Sequence, residues 1–359
     1  MSLLMHSTNP EVRSLARRVF ERQFAADPRL ETEYDERRKA LMYNDILYNL
    51  SFLDTAAVFQ DEKIFTSYSL WVYRLLVHLM KDLSPERIRE HLTDHLKLLG
   101  ESLGEVLPPE EVGIRRGYLE SAVQRLQEVS ADTLEEPGMT PDALLPWKKA
   151  YLARLLEQDT RGALQVIREA EEAGVSLEDI CTGILQQVME EVGRLWHRGE
   201  ITVDREHYCT STTQMALSLF YPRFFATARN GRKVLTCAVG GELHEMGARM
   251  LADLFEYHGW DSIFLGAAVP LDAVIHGVEE SRPDLLCLSV TMPQHLSLCH
   301  DMVLEVRHRI PEVKIAVGGR AFRSTSRLWE KWPVDAYGED AMELIEWAWR
   351  ELPGKGTVR

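Results

Sequence analysis

Residues 240–251, GGELHEMGARML, follow directly on the apolar run KVLTCAV and place His244 three residues before Gly247. A neutral imidazole on such a bend is a competent ligand for a borderline metal ion. Two later elements could also serve a ligand: Ser289 and Thr291 offer hydroxyls, and Gly318 and Gly319 lack side chains that would hold a ligand away from the backbone. Residues 248–288, 41 in number, separate Gly247 from Ser289, and residues 292–317, 26 in number, separate Thr291 from Gly318. Upstream, VGRLWHRGEITVDREH (192–207) sets Trp196 and His197 ahead of Glu206 and His207, with the nine residues 197–205 between Trp196 and Glu206.

These residues need elements to position them. From Arg232 onward, the short β-rich runs KVLTCAV, DSIFLGAAV, DLLCLSVTM, KIAVGG and VDAYGE alternate with amphipathic stretches, the pattern of a parallel sheet with crossover helices. In doubly wound sheets, ligands bind outside the carboxyl ends of the strands, where His244, Ser289 and Gly318–Gly319 all fall. Ala248, Leu251, Ala252 and Phe255 form one apolar stripe on the helix after His244, which leaves His244 itself off the packing face. For HEMG alone, the alternative is a flavodoxin-like fold with an incidental loop histidine.

The remainder of the chain is helical. Segments near 147–157, 160–173, 176–197 and 204–225, with Gly174 and Gly199 at two breaks and short connections throughout, predict an antiparallel four-helix bundle over 147–230. Residues 10 to about 128 show helical periodicity without strand signals, as at Ile46, Leu50, Leu53 and Ala57, and the Pro-, Gly- and acid-rich stretch 129–146 reads as a linker. The expected fold class is therefore α plus α/β: an N-terminal all-helical domain (1–128), the bundle, and a flavodoxin-like, doubly wound five-stranded parallel sheet over 231–359.

At 359 residues the chain suffices for two or three domains. A net charge of −15 works against binding a phosphate backbone, so no direct nucleic-acid partner is expected. The start lacks a basic segment followed by an apolar core, and YSLWVYRLLVHLM is interrupted by Arg74 and His78, so no membrane association and a cytoplasmic location are expected. Five cysteines without a C-x-x-C pair suggest neither a disulfide framework nor a structural zinc site; they read as small core residues.

The three spaced elements resemble the cobalamin-binding fold of methionine synthase and its relatives: Asp-x-His-x-x-Gly, about 41 residues, Ser-x-Leu or Ser-x-Thr, about 26 to 28 residues, then Gly-Gly. The likeness covers roughly residues 232–352. It implies that His244 replaces the cofactor's own lower base as a cobalt ligand. The displaced nucleotide tail would enter the cleft beside Ser289, Thr291, Gly318 and Gly319. Glu242 stands where the commoner residue is Asp, and would orient the His244 ring with a reach one methylene longer.

The Trp, nine residues, Glu-His pattern resembles that of the cobalamin (vitamin B12)-dependent photoreceptor family, whose light-sensing repressors of the CarH type control bacterial carotenoid synthesis. The resemblance implies adenosylcobalamin as cofactor, with Trp196 over the adenosyl group, Glu206 accepting ribose hydrogen bonds and His207 lining the pocket. Light would release the adenosyl group, His197 would become the upper cobalt ligand, and quaternary structure would change, giving a sensor and not an enzyme. Rival functions are a corrinoid methyl carrier, a radical isomerase subunit and a passive cobalamin-binding module.

No helix-turn-helix domain of the repressors is recognised in residues 1–128. This region instead resembles the helical segment before the bundle in stand-alone or enzyme-linked cobalamin photoreceptors, among them photocobilins, which bind biliverdin beside cobalamin. Tyr48, Trp71, Tyr73, Arg74 and His78 are the residues available to a bilin. The alternative is a dimerisation or docking module. A homo-oligomer with light-dependent association, or a downstream effector protein, is the expected partner.

Overall fold

The computed structural model describes residues 10–129, 138–241 and 243–355. The chain divides into two units: one runs to Leu134 and includes Met292–Ser297 and Ala321–Leu328, and the other holds the rest.

The first unit is built on α1 (Pro10–Ala26), a single turn α2 (Leu30–Glu33), α3 (Glu36–Phe59), α4 (Glu62–Leu79), α5 (Pro85–Ser102) and α6 (Pro109–Glu128). Asp35, Asp61 and Ser84 begin α3, α4 and α5 by accepting from the N–H groups of Arg38, Lys63 and Arg87, donors that a helix start otherwise leaves unpaired. On α3 the buried face runs through Ile46, Leu47, Phe52, Leu53 and Ala56. Leu50 and Ala57, expected on that face, are half-buried at its flank, because α3 packs against α1 on one side and α4 on the other. A polar network lies inside this core. Gln23 Nε2 donates to the His91 carbonyl at 3.3 Å, which turns Gln23 Oε1 toward His95 Nδ1 at 2.7 Å. His95 is thereby the Nδ1–H tautomer, and its Nε2 accepts from Asn49 Nδ2 at 2.8 Å.

In the second unit, α7 (Leu145–Leu156), α8 (Thr160–Glu172), a π-helical stretch (Asp179–Gln186) continuing into α9 (Gln187–His197), and α10 (Val203–Ser218) form the bundle. The fourth segment expected from sequence ends at Ser218, and a short α11 (Tyr221–Phe224) follows. The sheet comprises β1 (Lys233–Ala238), β2 (Asp261–Phe264), β3 (Leu285–Ser289), β4 (Lys314–Gly318) and β5 (Ala336–Gly338), all parallel, in the order β2-β1-β3-β4-β5. Its crossovers contain α12 (Met246–Tyr257), α13 (Leu271–Ser281) and α14 (Leu296–Arg309), and α15 (Ala341–Glu351) follows β5. DSIFLGAAV yields only a four-residue strand, since Gly266 takes φ +82° and turns the chain.

Bundle and sheet, expected as separate domains, share one hydrophobic core from Tyr151, Ile167, Ile184 and Phe220 to Leu254, Trp260, Leu285 and Ile345. Phe224 of α11 meets Tyr257 of α12 edge to face at 6.3 Å. The stripe on α12 also shifts from expectation: Leu251 is half-buried, while Met250 and Leu254 are buried with Ala248, Ala252 and Phe255. Contacts on both sides of α12, from the sheet and from α11, widen its apolar face beyond one stripe.

Candidate functional site

Strands β1, β3 and β4 end side by side. Ala238 pairs with Ser289 and Ser289 with Gly318, so the second and third sequence elements are adjacent across the ladder. Beyond the strands the backbone remains stitched: Val239 N donates to the Ser289 carbonyl at 2.8 Å, and Val290 N to the Gly318 carbonyl at 2.9 Å. The chain after β1 is tied to the turn after β2 by Ala238 N to the Gly266 carbonyl at 3.0 Å and by Ala268 N to the Gly240 carbonyl at 3.1 Å.

This scaffold holds the 239–245 loop at the carboxyl edge of the sheet. Gly240 turns it with φ +94°, and Glu245 begins α12. His244 is exposed on this loop beside Leu243, which has 68% of its surface exposed. Glu242 lies outside the described residues. Gly247 is exposed, and a side chain there would meet no atom within 4 Å. Ser289 and Thr291 are half-buried at the end of β3.

Gly318 and Gly319 have a role the sequence did not disclose. A Cβ on Gly318 would stand 2.5 Å from the Gly338 carbonyl oxygen, and one on Gly319, at φ +97°, would collide with the backbone of Val290. Packing of β3, β4 and β5 requires the glycine pair before any ligand arrives.

At one end of the bundle, α9 closes with Trp196 and His197. The Gly199 N–H bonds to the Trp196 carbonyl at 2.9 Å and the Glu200 N–H to the Leu195 carbonyl at 2.9 Å, with Gly199 at φ +64°, so the helix stops abruptly. Residues 198–202 then lead into α10, which packs on α9 and carries Glu206 and His207 in its first turns. Glu206 Oε1 accepts from Thr210 Oγ1 at 2.8 Å, and Glu206 Oε2 lies 3.2 Å from His207 Nδ1. Trp196, His197 and Glu206 are half-buried, and His207 is exposed.

Two further features escaped the sequence. Lys148 of α7 is fully buried, with its ammonium donating to the Thr140 carbonyl, Asp142 Oδ2 and Gln187 Oε1, each at 2.8 Å. All three ammonium protons are thus satisfied inside the bundle. Arg194 and Arg198 brace the end of α9 through Glu191, at 2.8 and 3.3 Å. The five cysteines are free and buried; desolvation pushes the Cys181 and Cys237 thiols up to about 12 and Cys209 to about 11, so none presents a thiolate.

Of the residues considered for a bilin, Tyr73 is removed. It is fully buried, and its hydroxyl donates to the Pro85 carbonyl at 3.2 Å while accepting from Arg89 at 3.0 Å. Tyr48 on α3 and Trp71, Arg74 and His78 on α4 are half-buried. Among the described residues, no helix is long and apolar enough to cross a membrane.

Comparison with known proteins agrees with this geometry. Family models described as B12 binding domain match residues 147–221 and 232–346. The HTH-type transcriptional repressor CarH of Myxococcus xanthus is 28% identical over 202 residues, which are 55% of this chain and 66% of the repressor. The trimethylamine corrinoid protein of Methanosarcina barkeri is 24% identical over 194 residues, 52% of this chain and 88% of that protein. Among solved structures, the monomethylamine corrinoid protein of Methanosarcina barkeri matches with a TM-score of 0.52 and 21% identity, covering 58% of this chain and all of that one. The residues present fit a corrinoid: His244 is an exposed residue on the loop after β1, hydroxyl-bearing residues stand at the end of β3, and the space beyond Gly247 is open. The chain is a cobalamin-binding-family protein, with B12 binding domains at 147–221 and 232–346 and the flavodoxin-like fold of the corrinoid proteins.

Proposed function

We propose that the protein is a cytoplasmic light sensor that holds adenosylcobalamin with its lower base displaced by His244. The observation that carries this reading is the grouping of Trp196 and His197 on the last turn of α9 with Glu206 and His207 at the start of α10. The 202-residue match to CarH and the two B12 binding domain matches support it. Ser289, Thr291, Gly318 and Gly319 would receive the nucleotide tail, and Glu242 would orient the His244 ring.

When bound, the cofactor supplies a cobalt–carbon bond that visible light breaks. Trp196 would cover the adenosyl group with its indole face, and Glu206, its carboxylate already held by Thr210, would accept from the ribose. His207 would line the same pocket. His197 would hold the metal after illumination, and the end of α9 would follow it. Driving a two-state element fully across requires about 5 kcal/mol of differential interaction, which a new metal–imidazole bond together with lost cage contacts can provide. The output would be altered self-association or altered binding to an effector protein. Biliverdin, if bound as a second chromophore, would draw on Tyr48, Trp71, Arg74 and His78.

The test is the absorption spectrum of the protein loaded with adenosylcobalamin in darkness, before and after green light. A stable two-histidine product in the wild type and its absence in His197→Ala are expected. An identical product in the variant removes His197 from the mechanism. A spectrum unchanged by light in the wild type overturns the sensor assignment.

A second reading, a corrinoid methyl carrier, draws on the match to the trimethylamine corrinoid protein. Transfer of a methyl group from the loaded protein to an added thiol in the presence of a methyltransferase subunit would favour it.

A further inference from the structure

Within the second unit, a cavity of about 210 Å³ opens among α11, α12 and β2. Helix α12 lines it with Arg249, Asp253 and Glu256, whose spacing puts them on one face. Glu256, 5% exposed, is fully engaged: its Oε1 pairs with Arg229, and its Oε2 accepts from Ser262 N at 3.1 Å. The other two are not. Arg249 and Asp253 stand four residues apart, where an arginine and a carboxylate commonly pair, yet among the described residues no ion pair joins them. Arg249 turns to α11 and β2 instead. Its Nη1 donates to the Tyr221 hydroxyl at 3.2 Å, and its guanidinium carbon lies 4.5 Å from the centroid of the Phe264 ring.

Three polar groups of this lining therefore keep bonding capacity. Of the Arg249 guanidinium donors, the one to Tyr221 is the only one bonded among the described residues. Asp253 Oδ2 and Ser262 Oγ are buried without a hydrogen-bond partner. Burial pushes the Asp253 carboxyl up to about 7 against the lowering pull of Arg249, as befits an acid with no cation bonded to it. Buried polar atoms left unpaired are costly and rare in folded proteins, and two beside one cavity call for a shared explanation. The rest of the wall is apolar: Phe225, 62% exposed with its ring 5.9 Å from that of Tyr221, and the buried Ala252. Water can satisfy Asp253 and Ser262. It supplies neither the anion that an open guanidinium edge takes best nor an apolar body for Phe225.

We propose that this cavity binds a small zwitterion, an α-amino acid with an apolar side chain. Its carboxylate takes the open edge of Arg249, its ammonium donates to Asp253 Oδ2 and Ser262 Oγ, and its side chain covers Phe225. One cation and one carboxylate on a single helix face complement both poles of such a ligand and neither pole alone. None of these residues belongs to the set assigned to the corrinoid, so the test is made on the cofactor-free protein and does not depend on that assignment.

Calorimetric titration of the full-length protein with L-leucine provides it. Isocaproate and isoamylamine keep the leucine side chain and carry only the carboxylate or only the ammonium. Leucine is expected to bind, with each one-pole probe weaker by about tenfold or more. Arg249→Gln and Asp253→Asn should each weaken leucine by about tenfold or more, while Asp253→Asn leaves isocaproate and Arg249→Gln leaves isoamylamine unchanged. Ser262 Oγ bonds nothing in the free protein, so Ser262→Ala keeps the test valid if a charge variant fails to fold; it should weaken leucine about fivefold, as for one hydrogen bond lost. A one-pole probe that binds as tightly as leucine overturns the zwitterion site, as does leucine binding untouched by the substitutions. Failure of both leucine and L-phenylalanine to bind the wild type at millimolar concentration overturns it as well.

Discussion

The Lys148 ammonium donates to Gln187 Oε1 at 2.8 Å, at the residue where the π-helical stretch 179–186 gives way to α9. The same ammonium holds Thr140 and Asp142, so one buried cation joins the segment before α7 to the helix that ends in Trp196 and His197. Gly183, inside the π-helical stretch, faces Leu144 so closely that a Cβ there would stand 2.5 Å from Leu144 Cδ1.

Replacing Lys148 by methionine would keep the volume and orphan three acceptors. The expected cost is about 2 kcal/mol of stability, from losing three hydrogen bonds made by a buried, charged donor. Denaturant unfolding of the cofactor-free protein measures it. Protease cleavage between residues 138 and 144 should quicken in the same variant. Unchanged cleavage would show that packing of Leu144, and not the ammonium, holds the segment.

Much of this arrangement was legible in the sequence, and the missing part has a common cause. The five β-runs became β1 to β5, and the four bundle segments appeared at nearly their expected bounds, because period and breakers report local structure. Lys148 was not legible, since a lysine in a helical pattern reads as a solvated residue until acceptors from the segment before its helix and from Gln187 converge on it. Nor was the meeting of Asp61 with Ser326, which depends on packing between segments 265 residues apart. The glycine pair was found for its spacing, but its backbone reason emerged only from the register of β3, β4 and β5.

The pH dependence of the first unit should carry the mark of His95. Desolvation depresses its imidazole from 6.5 to about 4. Between those values the unfolded chain takes up a proton and the folded chain does not, so stability falls as pH drops through that window, by about 3 kcal/mol at most. Asp45 acts in the opposite sense. Burial pushes its carboxyl up to about 7, so it contributes stability that is full below its ordinary 3.8 and is lost as pH rises to about 7. Thermal unfolding from pH 4 to 8 separates them: His95→Gln should flatten the acid side, and Asp45→Asn should remove the decline toward pH 7. Parallel curves for wild type and His95→Gln would mean that the imidazole titrates alike in the folded and unfolded chains.

The glycines of the motif should divide into two kinds. Gly319→Ala forces a side chain into a left-handed position against Val290 and is expected to cost about 2 kcal/mol or more. Gly247→Ala, on the first turn of α12 with open space beyond it, should leave the cofactor-free protein unchanged or slightly more stable. Cobalamin binding by Gly247→Ala then tests the ligand alone. Weakened binding with intact stability would indicate that the corrin lies against that turn, and full binding would move it elsewhere.

His244→Ala offers the sharpest separation of folding from ligation. The residue is exposed on a loop stitched by backbone bonds from Gly240 and Glu245, none of which needs the imidazole. The metal should respond in full, because no other described side chain between Gly240 and Gly247 is a histidine or cysteine. The melting temperature of the cofactor-free variant measures what the side chain contributes to folding. Its adenosylcobalamin spectrum should lack the histidine-ligated band and match that of the free cofactor with its base detached. A histidine-ligated spectrum that survives the substitution would assign the lower ligand to a different imidazole, and the loop after β1 would lose its place in the site.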